Sequence, residues 1–147
     1  MGEAATTTPA TVTLVWEHDL VFSGRAGGTA DAPAVQVTLD SASIAGPSPV
    51  QALAFALAAC MAMDVVHILS KGRHDLRGLR ADLTPARAAE HPRRMTGAEL
   101  HFTITGTIPS EQIERAIALS RDKYCSVWHS LRQDIDFRVT FTASAGI

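Results

Sequence analysis

The chain carries two cysteines, Cys60 and Cys125, and these thiols are its strongest candidates for covalent chemistry. They stand far apart and form no CxxC pair, and a small secreted domain stapled by disulfides would carry more. The pair is therefore either inert packing or redox chemistry assembled by the fold. A free thiol is only about 3% thiolate at pH 7, and apolar burial lowers that fraction further. Lowering the pKa of Cys60 by about three units would take about 4 kcal/mol of thiolate stabilisation. Cys60 lies too far from Pro49 for the helix's positive end to help, so a close, poorly solvated cation is expected to supply it. Cys125, in "KYCSV", falls where one helix ends and another starts, which brings free backbone N–H groups near its sulfur.

Few other side chains compete for a role. Asp64 and His67 follow Cys60 at i+4 and i+7 on one helix face, but a Cys/Asp/His metal site lacks a fourth ligand, and no metal or organic cofactor is expected. Asp64 is expected instead to bond a neighbouring backbone group or an arginine. Unpaired, it would oppose ionisation of Cys60. His129 and His101 are expected at the surface, and Arg93 and Arg94 in "HPRRM" on a solvated loop.

The elements that must position the thiols are legible from hydrophobic period. "TVTLVWE", with Val12, Leu14 and Trp16 on one side, predicts a half-buried strand. "DLVFSGRAGG" predicts a second strand breaking into a turn at Gly27 and Gly28, and "AVQVTLD" a third, which together make an antiparallel meander. "SPVQALAFALAACMAMDVVHIL", residues 48–69, predicts a helix with Ser48 as N-cap, Pro49 in the first position and Gly72 at the stop. It is apolar nearly all round, which predicts enclosure by other elements. Two strands follow, "LRADLT" and "ELHFTIT", the second with Leu100, Phe102 and Ile104 inward. A helix over about 110–123 shows Ile113, Ala116, Ile117, Ser120 and Tyr124 on one side, "YCSVWHSLRQ" begins a short further helix, and "DIDFRVTFT" closes as a strand. The order β-β-β-α-β-β-α-α-β is an α+β arrangement.

Composition limits the function classes. At 147 residues the chain fits one domain over 11–147 behind a disordered leader over 1–10 that lacks the basic start and apolar core of a signal peptide. A net charge of -2 gives no basic field for phosphates, so nucleic acid is not an expected partner. The apolar run from Ala52 ends at Asp64, short of the roughly 18 residues of a membrane span, so no membrane partner is expected either. One sheet and one other helix cannot cover the apolar helix on every side. A second copy of the chain can, which predicts a homodimer.

"SPVQALAFALAACMAMDVVHIL", then "HPRRMTGAELHFTITG", "IERAIALSRDKYCSV" and a final alternating strand together resemble the OsmC/Ohr family of bacterial thiol peroxidases, in motif order and spacing from about Val12 to Thr142. "AACMAMDVV" and "KYCSV" are the specific parts, and they look most like the OsmC-like branch of unassigned activity. The resemblance implies an intertwined homodimer with curved antiparallel sheets around a long buried central helix and active sites at the subunit interface. It implies a peroxidatic role for Cys60 and a resolving role for Cys125, with hydroperoxide as substrate and a dithiol reductant, lipoyl-type or another thiol, in the cytoplasm. The family's arginine, from a "GGR" turn, corresponds to Arg25 in "FSGRAGG". Its glutamate, from "NPE", corresponds to Val50 in "SPV", so the partner that orients the arginine is missing, with Glu17, Asp19 or Asp64 as substitutes. Two functions follow: a thiol-dependent hydroperoxide reductase, or a non-catalytic dimer that binds a small ligand or senses oxidation.

Overall fold

The structure, a computed structural model, describes residues 11–29 and 33–146; the expected leader over 1–10 lies outside the described residues. The chain divides into two compact units, Met1–Ala52 and Leu53–Ile147.

The N-terminal unit is a three-stranded antiparallel meander, β1 (Val12–His18), β2 (Val21–Ala26) and β3 (Val35–Asp40). Gly27 and Gly28 leave β2 with positive φ, the conformation that glycine adopts without a Cβ clash. Asp40 ends β3 and ties down the next loop, its carboxylate accepting the backbone N–H groups of Ala42, Ile44 and Ala45 at 2.9, 3.2 and 3.0 Å. Those bonds, Ala45's first, hold its pKa below the ordinary carboxylate value. The expectation for β1 needs correcting. Its apolar residues are not half-buried: Trp16 is 65% exposed and the whole strand is open. Alternation tells which face is apolar, not what covers it.

Helix α1 (Pro49–Lys71) starts as predicted. Ser48 Oγ accepts the Gln51 amide at 3.3 Å, and Gln51 Oε1 accepts the Ser48 amide at 3.0 Å, a reciprocal capping box. At the other end the residue in the left-handed conformation is Arg73, one position beyond Gly72, with His74 N–H on the Leu69 carbonyl and Arg73 N–H on the Ser70 carbonyl. The helix is longer than the apolar run that announces it. Its 23 residues, with a mean hydropathy of 2.1 over 18 of them, are long and apolar enough to cross a membrane, contrary to the sequence expectation. Asp64 within it is bonded to another element, and one stripe, Leu57, Met61, Val65 and Leu69, is fully buried in a core, as in a helix packed on protein. The expected all-round burial is not met within one chain, since Phe55 and Met63 are 68% and 70% exposed.

The C-terminal unit packs that stripe with a second sheet, β4 (Asp75–Arg87), β5 (Met95–Thr107) and β6 (Asp136–Ser144). β5 lies between the others and buries Ala98, Leu100, Phe102 and Ile104, as the alternation requires. The pairing of β4 with β5 is antiparallel, but β5 with β6 is parallel, so the expectation of antiparallel sheets holds for only part of this sheet. The physical reason is the connection. A parallel neighbour needs a long crossover, and here it runs through α2 (Ser110–Leu119), a π-helical turn (Ser120–Tyr124) and α3 (Ser126–His129). Ile113, Ala116, Ile117 and Ser120 are buried as expected, whereas Tyr124 is exposed. Inside the unit, Trp128 and Phe137 stack with ring centroids 4.6 Å apart.

Candidate active site

The C-terminal unit brings the two cysteines together, each from the element the sequence assigns to it. Cys60 stands at the middle of α1 and is half-buried; Cys125 is fully buried at the junction of the π turn and α3. The π turn makes that junction. Its wider i→i+5 bond runs from the Cys125 amide to the Ser120 carbonyl at 2.7 Å, and such local expansions of a helix recur at functional sites. Cys125 then leaves helical backbone and caps α3, its sulfur accepting the Trp128 amide at 3.4 Å. The free N–H groups expected beside this sulfur are therefore present.

The surroundings push the two thiols in opposite directions. Burial raises Cys60, but the Val127 backbone N–H, the Cys125 thiol and the Ser126 hydroxyl all donate toward its sulfur, and the balance falls below the ordinary thiol value. The Ser126 oxygen lies 3.8 Å from Cys60 Sγ. Asp64 works against these donors through its charge. For Cys125 burial comes first and dominates. The Trp128 amide lowers it, Cys60 and Asp64 raise it, and the result is pushed up to about 11. The pair is thus ordered, with a more acidic, partly accessible sulfur beside a buried one that keeps its proton and donates it.

The predicted cation is not what lowers Cys60 within this unit; neutral donors do. Ser126 and Val127 were missed by reasoning from the sequence, although Ser126 follows Cys125 directly in "KYCSV" and a hydroxyl next to a thiol is a readable signal. Arg25 sits within strand β2 rather than in the turn after it, exposed and with no ion pair among the described residues. The candidate substitutes for the missing glutamate are engaged elsewhere: Glu17 accepts the Ser23 hydroxyl, Asp19 meets His18 at 3.1 Å, and Asp64 accepts the Ser120 hydroxyl. Val50, at the second position of α1, is half-buried. His129 is exposed, while His101, expected in solvent, bonds Thr140 and Thr142 of β6 through its two ring nitrogens at 2.7 and 3.2 Å. Among the described residues no three His, Cys, Asp or Glu side chains converge as a metal site.

The profile of the OsmC-like protein family matches residues 40–140. The chain belongs to the OsmC-like family. Protein YhfA of Escherichia coli K12 is 35% identical over 132 residues, covering 88% of this chain and 95% of YhfA. Among solved structures, an organic hydroperoxide resistance protein OsmC from Legionella pneumophila superposes with a TM-score of 0.63 at 17% identity, covering 95% of this chain and 99% of that one. The organic hydroperoxide resistance protein OhrB of Bacillus subtilis gives 0.59 at 14% identity, covering 92% and 98%. At such identities these two share the OsmC-like fold, a central helix with two small sheets.

Proposed function

We propose that this OsmC-like protein is a cysteine-based thiol peroxidase that reduces organic or hydrogen peroxide in defence against oxidative stress. The observation that carries the reading is the ordering of the thiols: Cys60, lowered by three neutral donors, next to Cys125, held protonated at about 11. The Cys60 thiolate attacks one peroxide oxygen, the O–O bond breaks, and the leaving alkoxide or hydroxide takes up a proton. Cys60 is left as a sulfenic acid. Cys125 attacks that sulfur, water leaves carrying its proton, and a disulfide forms. A dithiol reductant, lipoyl-type or another thiol, returns both thiols by exchange.

The acting form is a soluble homodimer in the bacterial cytoplasm, with no nucleic-acid or membrane partner. Support for the second copy comes from apolar side chains that one chain leaves open, Phe55 and Met63 on α1 and Trp16 on β1. Arg25 is the cation of the assembled site. Without a glutamate at Val50 it is less firmly oriented, which makes turnover slower than in a protein with that carboxylate. The same observation favours the second reading, in which the dimer binds a small apolar or thiol-bearing ligand or senses oxidation without turnover.

The deciding assay is consumption of cumene hydroperoxide driven by dihydrolipoamide, with dithiothreitol as a second reductant. Turnover that disappears in Cys60→Ser and falls in Cys125→Ser supports the enzyme. Oxidation of the thiols once, with neither dithiol restoring them, leaves the sensing role.

A further inference from the structure

One helical turn beyond Cys60, α1 presents Asp64 on the same side. The peroxidase reading gives this carboxylate no part. Asp64 Oδ2 accepts the hydroxyl of Ser120 at 2.7 Å. Ser120 is fully buried as the first residue of the π turn, and its carbonyl accepts the Cys125 amide at 2.7 Å. A bonded path therefore runs from Cys60 along one turn of α1 to Asp64, across to Ser120, and on to the residue with the other thiol. Among the described residues no other side-chain hydrogen bond joins α1 to the π turn.

We propose that Asp64 and Ser120 are positioning residues for the thiol pair: their hydrogen bond braces α1 against the π turn and sets how closely the sulfurs of Cys60 and Cys125 approach. The inference rests on the disulfide step of the reading above for its purpose, though the brace itself needs no peroxide. An aspartate is an unfavourable neighbour for a nucleophilic thiol, because its charge opposes ionisation of both cysteines. What it supplies is a strong acceptor for a buried hydroxyl that would otherwise keep an unsatisfied donor.

The groups that act on Cys60 are few. Asp64 comes from α1, Cys125 from the end of the π turn, and Ser126 and the Val127 amide from α3. Arg121 of the π turn has its guanidinium over the rings of Phe137 and Trp128, at 5.1 and 5.7 Å, and His129 is exposed. Asp64 is thus the charged side chain that the ionisation of Cys60 feels within this unit, and its removal has a predictable sign.

Two readouts without peroxide separate the brace from the charge. Diamide oxidises the two thiols to a disulfide while its N=N bond takes up both electrons and both protons, so the closure rate reports how the sulfurs meet. The pH profile of Cys60 alkylation by iodoacetamide reports its ionisation. Ser120→Ala and Asp64→Ala are expected to slow closure by about tenfold relative to Cys60 alkylation in the same variants. Asp64→Asn keeps an acceptor for Ser120, so closure relative to Cys60 alkylation stays at the wild-type value while the alkylation profile moves to lower pH. Wild-type closure in Ser120→Ala, or an unmoved profile in Asp64→Asn, overturns the proposal. Should Asp64→Ala not fold, the Ser120→Ala and Asp64→Asn pair still decides it. Thiols that ignore hydroperoxide would defeat the peroxidase reading and leave both readouts intact.

Discussion

The hydroxyl of Ser126 lies 3.8 Å from the sulfur of Cys60, so the residue after one cysteine serves the other. Together with the Val127 amide it brings α3's donors to a sulfur on α1, which neither element could do alone. Stabilisation by neutral donors is modest compared with a desolvated ion pair.

Replacing that hydroxyl tests the arrangement. Ser126→Ala removes a donor worth about 1 kcal/mol to the thiolate, so Cys60 alkylation at neutral pH is expected to slow roughly three- to fivefold. The alkylation profile of Cys60 moves to higher pH. Thiolate absorbance near 240 nm, followed during a pH titration of a Cys125→Ser background, measures the shift directly.

Cys125 makes alkaline stability a signature of its surroundings. Its pKa is raised on folding from 9.0 to about 11, so the folded state holds the proton more tightly. The sign follows from linkage: the contribution is complete below 9.0 and is lost as pH rises through about 11. Urea unfolding of the reduced protein is expected to show falling stability across that window, and Cys125→Ala to flatten the fall.

The guanidinium of Arg121 covers the Phe137 and Trp128 rings, and Trp128 supplies the amide that Cys125 accepts. Arg121→Ala is expected to cost about 1 kcal/mol and lower the thermal midpoint by a few degrees. Arg121→Lys restores part of the loss. Differential scanning calorimetry of the reduced proteins checks both.

Exposed apolar side chains should behave as an interface if a second copy covers them. Phe55→Glu and Met63→Glu place charges on the open side of α1 and are expected to give monomers where the parent is a dimer. Sedimentation velocity reads the difference. Circular dichroism confirms that the monomers stay folded.

What the sequence showed and what it hid divide along physical lines. Leu100, Phe102 and Ile104 could be placed inward because one face of β5 meets a core and the period of two leaves no choice. Ser48 and Gln51 declared the start of α1 through their side-chain chemistry. The parallel register of β6 was hidden, since "DIDFRVTFT" alternates in the same way whichever direction its neighbour runs. The π turn at Ser120 was hidden too. One extra residue in a helical turn barely disturbs an apolar period, yet it turns Cys125 toward Cys60 and takes Tyr124 off the buried side. A carboxylate inside an apolar helix needs a partner, and for Asp64 it is a serine in that turn rather than a backbone group or an arginine.

On the proposed function, Cys60 and Cys125 act as one ordered pair toward peroxide. Its most direct test adds one equivalent of cumene hydroperoxide to the reduced protein, then counts free thiols and maps the products by mass spectrometry. Loss of both thiols to a Cys60–Cys125 disulfide is expected, and in Cys125→Ser a sulfenic acid on Cys60 that dimedone traps. Both thiols persisting in the parent, or oxidation falling on Cys125 while Cys60 stays reduced, would contradict it.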